Sequence, residues 1–330
     1  GATLSAQDTT ETSVTLQVAT QKGVDLNFTS TDLTLSLDDF SKRIIEPAMS
    51  VLAANIEYDA MTMYKDVYQS VWNGGSAVTL AKVLAGRKML QDALAPLNAR
   101  TANLNTQDNV DLVDSLKGLF NDTTNISKQY REGYMGRTAG FDFMENTMWP
   151  AHTRGGSNGA YLTNGATQSG STLVVDTGAT APAAGDVITI AGVFKVHPET
   201  KVSTGILQQF VVGAGATTTS FPISPAIVAT GATQNVSNTA ADNSAVTFLG
   251  TASTAVGTSL LYQEGAFAFA TADLVMPDGV DWKAREVFDG ISMRMIRQYD
   301  INNDKFPTRL DVLYGYKTLR PQLAARLHNN

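Results

Sequence analysis

Val14, Leu16 and Val18 alternate with Thr15 and Gln17, the two-residue period of a half-buried strand. Gln21-Lys22-Gly23 has turn composition, and alternation resumes at Leu26-Asn27-Phe28 and through Leu33, Leu35 and Leu37. The pattern predicts a long β-hairpin arm over 1–36. A lone hairpin is marginally stable in water, so this arm is expected to be held by something outside its own subunit. From Leu37 the period turns helical. Phe40, Ile44, Ala48, Leu52, Ile56, Met63 and Val67 recur at three- or four-residue steps or their multiples. Ser36 with Asp39 suits a capped start, and Asn73-Gly74-Gly75 ends the run. A helix over 37–72 would be a rod of roughly 54 Å. Pro47 inside it predicts a kink, or a short helix followed by a longer one starting there.

Further helices are expected at 77–94, from Asp108 with Val110, Val113, Leu116, Leu119 and Phe120 on one face, and over 124–134. Phe141-Asp142-Phe143 to Trp149-Pro150 reads as a strand or extended link. The chain then changes character. The sequence holds 24 Lys and Arg and 31 Asp and Glu, yet only seven of these 55 lie between His152 and Ala255. That stretch is rich in Thr, Ser, Gly and Ala. Short β runs at 172–175, 186–196, 207–212, 220–223, 226–228 and 245–249 alternate with turn residues, which predicts a small barrel or sandwich. Pro222 and Pro225 place two of these runs at an edge or bulge. The flanks read as one α/β host carrying an insert at 152–257. A return segment follows from about 258, with strands at 266–270 and 274–276. A hairpin at 291–299 and 306–314 is expected to close the host sheet.

At 330 residues with 43% hydrophobic content the chain is long and apolar enough for a substantial core. A net charge of −7 argues against gripping nucleic acid through a basic surface. There is no Cys, so disulfides and thiolate sites are excluded. No run reaches the length of a membrane span, and no signal segment is visible. Residue 1 is Gly rather than Met, so the natural protein is expected to begin earlier or to be processed.

Candidate chemistry is sparse. His152, His197 and His328 lie far apart in loop-like or terminal contexts and read as surface histidines. Asp300, Asn302 and Asp304 copy the first ligands of a calcium loop, but Lys305 occupies the obligatory glycine position, so polar turn residues are expected instead. Gly133, Gly136 and Gly140 match no phosphate-binding pattern. Asp38 with Asp39 and Asp278 with Asp281 are accounted for by capping and turns. No catalytic residue, cofactor or metal is expected. Arg285, Arg294, Arg297, Arg309, Arg320 and Arg326 cluster late in the chain and suit either a subunit interface or a solvated sheet face. Val14, Leu16, Val18, Leu26 and Phe28 in the arm, with Arg285, Arg294, Arg297, Arg309 and Arg320, are the interface candidates.

The order of hairpin arm, long helix, α/β body, β insert and returning strands resembles the tailed-phage major capsid proteins of the P22 coat-protein type. The likeness rests on Val14–Leu37 and Leu37–Gln69, on Tyr134–Asp142, on Asp186–Val193 and on Asp289–Tyr314 with Gly315. It implies an α+β, HK97-like capsid fold. The expected parts are an E-loop arm at 1–36, a spine helix at 37–72, P and A domains at 73–151 and 258–330, and an inserted all-β barrel at 152–257. It further implies hexamers and pentamers closing into an icosahedral head around double-stranded DNA, without sequence-specific binding and without a membrane. Scaffolding and portal proteins are the implied partners, assembly is in the host cytoplasm, and the virion is the destination. In that family an N-terminal arm precedes the E-loop, whereas here residue 1 already sits near it. A secreted β-rich adhesin and an enzyme with an inserted carbohydrate-binding module are the alternatives.

Overall fold

The computed structural model describes residues 13–31, 44–116, 136–157, 159–288 and 290–329. Along the chain come β1 (Thr20–Thr29), α1 (Glu46–Met61) running into a 3-10 turn (Thr62–Asp66), β2 (Ser70–Trp72), α2 (Leu80–Asp92), β3 (Arg100–Leu104) and α3 (Thr106–Leu116). They are followed by β4 (Arg137–Thr138), β5 (Phe141–Glu145), β6 (His152–Thr153), β7 (Tyr161–Thr163), β8 (Gly170–Asp176), β9 (Val187–Val196) and β10 (Ser203–Val212). The remainder is β11 (Ser220–Ile227), β12 (Ala245–Phe248), β13 (Ala255–Gln263), β14 (Phe267–Ala272), β15 (Trp282–Phe288), β16 (Ile291–Arg297), β17 (Lys305–Thr318) and β18 (Ala324–Asn329). The chain divides into two units. One gathers the described residues up to Met49 with Ala268–Leu319, and the other holds Ser50–Phe267 with the residues from Arg320.

The first unit is an antiparallel sheet in the order β1-β17-β16-β15, with β14 also pairing β17. Here the hairpin arm fails as a prediction. Gln21-Lys22-Gly23 is no turn, and β1 runs straight through it, each residue from Thr20 to Thr29 opposite one from Tyr314 to Lys305. Gly23 is needed for closeness. A Cβ there would meet the Leu310 carbonyl oxygen at 2.7 Å and Asp311 Cβ at 3.0 Å. Strand β1 thus has a partner within its own chain. Residues 13–19 form no strand but stay close to β17, since a Cβ on Gly315 would fall 2.2 Å from the Gln17 carbonyl oxygen.

The 37–72 helix is also shorter than its period suggests. Leu37 and Phe40 lie outside the described residues. Helix α1 carries Pro47 as its second residue, directly after a π turn at 44–45. Beyond Met61 the spacing persists in Met63 and Val67, but the backbone tightens to 3-10 and Val67 is extended. The segment predicted over 124–134 also falls outside the described residues, and 274–276 forms no strand.

The second unit contains a seven-stranded mixed sheet, β2-β18-β13-β3-β5-β4, with β6 pairing β13. Helix α2 lies against it at Gly86, where a Cβ would come within 2.4 Å of Leu261 and 3.5 Å of Leu327. Val83, Leu90, Leu104, Leu112, Phe141, Leu261 and Leu327 form the core between helices and sheet. Each such side chain contributes about 1.5–3 kcal/mol on burial. The hairpin expected to close this sheet, β16-β17, belongs to the other unit. Strands β13 and β18 take its central places.

Between β6 and β13 in sequence, six strands close a barrel in the order β10-β11-β8-β7-β12-β9. Its separate core centres on Tyr161, Phe221 and Phe248, whose rings sit 4.9–6.1 Å apart. The runs at 220–223 and 226–228 are one strand, β11. Its ladder shifts register between Pro222 and Ile227, which accommodates two prolines without an edge. Gly178 lies so close to Tyr161 that a Cβ would fall 2.0 Å from the ring. Gly178→Ala is therefore expected to lower stability by about 1–3 kcal/mol through overpacking, measured by chemical denaturation. An unchanged midpoint would show that the ring has room to move.

Candidate functional site

The most concentrated polar chemistry of the second unit lies where the barrel meets the sheet. Asp186, immediately before β9, is 1% exposed. Its carboxylate accepts from the Ala183 N–H at 2.9 Å and the Gly155 N–H at 3.1–3.2 Å, and lies 3.2 Å from His152 Nε2. A carboxylate only accepts, so Nε2 carries the ring proton. Nδ1 lies 3.2 Å from the Tyr64 hydroxyl. The result is a chain from Tyr64 through His152 to Asp186. It joins the 3-10 turn, β6 and the barrel.

Strand β18 supplies the rest. All six of its residues are buried, since β2 and β13 flank it and side chains cover both faces. Arg326 Nη1 donates to the Gly185 carbonyl at 2.8 Å, and its guanidinium lies 5.8 Å from the Tyr64 ring. Burial lowers the Arg326 guanidinium to about 10 and pushes the Tyr64 hydroxyl up to about 12. His328 packs its ring 5.3 Å from His152 and 5.5 Å from Trp72, with Nδ1 3.4 Å from the Thr258 hydroxyl. Burial holds its imidazole well below the usual range, and Arg326 adds to this. Beside them, the Gln209 side-chain amide on β10 accepts from the Ser70 N–H at 2.8 Å and donates to the Ser70 carbonyl at 2.9 Å.

The sequence reading placed these histidines wrongly. His152 and His328 are 4% and 2% exposed and in ring contact, although 176 positions separate them. Both stand in short strands whose flanks read as loop and tail. His197 is half-buried, and its Nδ1 accepts from the Glu199 and Thr200 N–H groups. Among the described residues no group of three or more His, Asp or Glu is placed to hold a metal ion. The Asp300–Lys305 segment is a polar turn, with Asp300 and Lys305 bridged by their backbones. Hydrogen bonds from Asn303 and Asn302 lower the Asp300 carboxyl.

The late arginines do not form one strip. In the first unit, Arg294 donates to both Asp311 oxygens at 2.9 and 2.6 Å, and Gln21 Nε2 donates to the same carboxylate at 2.6 Å. Arg309 makes a matching fork to Asp25 at 2.7 and 2.9 Å, and this holds the Asp25 carboxyl down. Arg285 is exposed, 3.4 Å from Asp273. The cross-strand register puts these three on one face of the sheet. It puts Arg297 on the other, where its guanidinium lies 5.9 Å from the Trp282 ring and 5.6 Å from Phe306. Arg320 is exposed in the second unit. Of the apolar candidates Val14 is exposed, while Leu16, Val18 and Leu26 are half-buried. Phe28, at 4%, is a core residue of its own subunit, because β1 lies in its own sheet.

A family model described as P22 coat protein, gene protein 5, matches residues 2–326. The chain belongs to the P22 coat protein family. It is a major capsid protein of the phage shell, and the polar junction is an internal fastening of a coat subunit. No curated protein sequence matches this coat protein. Among solved structures, one from Mycobacterium phage Che8 is similar at 13% identity and TM-score 0.49, covering 98% of this chain and 76% of that one. The capsid of cyanophage P-SCSP1u is similar at 10% identity and TM-score 0.48, covering 100% and 81%. The CUS-3 coat protein I-domain is 27% identical over 28% of this coat protein and 96% of its own length, with TM-score 0.23.

Proposed function

We propose that copies of this coat protein associate as hexamers and pentamers and close into an icosahedral head around double-stranded DNA. The family match over residues 2–326 carries this reading. Within it, α1 belongs to a spine helix, the barrel is a domain inserted at 152–257, and the subunit has the HK97-like plan. Scaffolding and portal proteins are the expected partners, with assembly in the host cytoplasm and the virion as destination. A net charge of −7 suits a wall that encloses DNA without adhering to it. Large apolar side chains left in water support contacts with neighbouring copies. Val275 is 81% exposed and Ile301 79%. Among the described residues of the arm, Val14 is exposed and open to a neighbouring copy.

Electron microscopy of the purified protein under assembly conditions tests this. Closed particles are expected, and discrete small oligomers alone would refute it. The double variant Val275→Asp, Ile301→Asp is expected to melt within about 0.5 kcal/mol of the parent, because both sites face water. Its yield of closed particles should fall at least tenfold. Normal yield would remove these two side chains from the contacts.

A further inference from the structure

We propose that Asp108 is a neutral carboxylic acid in the native subunit, and that it donates its proton to the Asn329 side-chain oxygen, tying the last residue of β18 to helix α3. Asp108 stands in the first turn of α3, and Asn329 ends β18. Both are 0% exposed. The Asn329 amide donates from Nδ2 to Asp108 Oδ2 at 2.9 Å, and the Ser259 hydroxyl on β13 donates to the same oxygen at 2.5 Å. The other two oxygens, Asp108 Oδ1 and Asn329 Oδ1, are buried without a hydrogen-bond partner. Two orphaned acceptors, on side chains already joined by one bond, are what a missing hydrogen leaves behind.

The donors beside them are already spent. The Ser259 proton goes to Asp108 Oδ2, and the Ser259 oxygen accepts from the Asn105 N–H at 2.9 Å. The Asn105 amide donates to the Thr258 carbonyl at 3.3 Å, and its oxygen accepts from the Asp108 N–H at 2.7 Å. Turning the Asn329 amide over would set its oxygen against a carboxylate oxygen, acceptor to acceptor. An ionised carboxyl has no hydrogen to offer, whereas a protonated one has one. With that hydrogen on Oδ1, Oδ2 becomes the carbonyl oxygen and keeps both of its donors. Acid and amide then pair through two bonds, N–H to oxygen one way and O–H to oxygen the other. Both orphans are satisfied by the one proton.

The surroundings favour the neutral form. Of the elements packed against Asp108, α3 brings Asp111, another acid, the link before it brings the Asn105 amide, β13 brings the Ser259 hydroxyl and β18 brings Asn329. Arg326 and His328 project from the opposite face of β18, to the Gly185 carbonyl and the His152 ring. Burial pushes the Asp108 carboxyl up and Asp111 adds to this, while the bonds from Ser259, Asn329 and Asn105 pull the other way. The positive end of α3 also favours the anion, but it is a partial charge and not a counter-ion. An acid held above its ordinary value of 3.8 binds more protons in the folded chain than in the unfolded one. The tie is therefore complete below that value and is lost as pH rises through the folded value, by up to tenfold per pH unit for one proton.

Infrared spectroscopy of the folded protein at neutral pH tests this directly, because a protonated carboxyl group gives a carbonyl stretch that ionised acids lack. The band is expected in the parent and should vanish in Asp108→Asn. Its absence from the parent, as when a water bridges the two oxygens of an ionised Asp108, would overturn the proposal. Denaturant titration gives a second reading. The amide of Asp108→Asn can accept at one atom and donate at the other, as the acid does, so its folding equilibrium should stay within about tenfold of the parent. A larger loss would count against a bound proton. Asp108→Ala can do neither and should lose far more than Asp108→Asn, and equal losses in the two would also overturn the proposal. Raising the pH should never favour the parent over Asp108→Asn, and a relative gain would reverse the sign worked out above. Should Asp108→Asn not fold, the parent spectrum alone decides.

Discussion

Replacing Asp186 with alanine is expected to lower the stability of the coat subunit by about 3–5 kcal/mol, the cost of removing one partner from a buried charged network. The carboxylate is 1% exposed and has three partners, the Gly155 and Ala183 amides and His152. Deleting it leaves these donors buried and unmatched, each costing about 1–3 kcal/mol. It also removes an acidic group that favours the charged form of Arg326. Two of that guanidinium's nitrogens already have no hydrogen-bond partner. Asp186→Asn should be milder, because an amide oxygen still accepts from a backbone N–H. Denaturant titration measures both variants. A loss below about 1 kcal/mol for alanine would mean that water replaces the carboxylate at little cost.

Asp311→Ala is expected to be comparably severe, about 3–5 kcal/mol, and to act on the other unit. Asp311 is 1% exposed and Arg294 only 14% by side chain, so the surviving guanidinium would remain largely buried without its fork. Gln21 would lose its acceptor as well. The Arg309–Asp25 pair controls for geometry. It is equally well formed but 56% and 64% exposed, so Asp25→Ala should cost no more than about 0.2–1 kcal/mol. Equal losses at Asp25 and Asp311 would show that strand pairing, rather than desolvation, sets the cost.

Local pattern revealed much of this architecture and little of its junction. The barrel strands were readable because each is a short apolar run between turn residues, and β8, β9, β10 and β12 stand close to where that rule puts them. Helix α2 stands within the expected 77–94, whereas α3 forms but leaves Val110 of its expected apolar face 61% exposed and buries Leu112 instead, with Leu119 and Phe120 outside the described residues. Gly23 misled because a glycine that turns a chain and one that admits a neighbouring strand look alike in sequence. The helical period through Val67 misled because a 3-10 turn keeps side chains on nearly the same face for a few residues. The junction was hidden for a different reason. Its members come from positions 64 to 328, and only the pairing of β18 with β2 and β13 brings them together. The one local clue is an arginine inside the short apolar run from Leu323 to Leu327, with His328 directly after it, an expensive place for a charge unless another surface meets it.

The place of β18 also sets an order of events during synthesis. The barrel is closed by contiguous chain ending at Phe248, whereas the strand that receives it begins at Ala324. At roughly 5–20 residues per second, about 4–15 s separate the two on the ribosome. Throughout that interval the finished barrel hangs from a sheet with a vacant slot between β2 and β13. The first edge strand to reach that slot, from this polypeptide or from another nascent copy beside it, determines whether the subunit is completed or entangled.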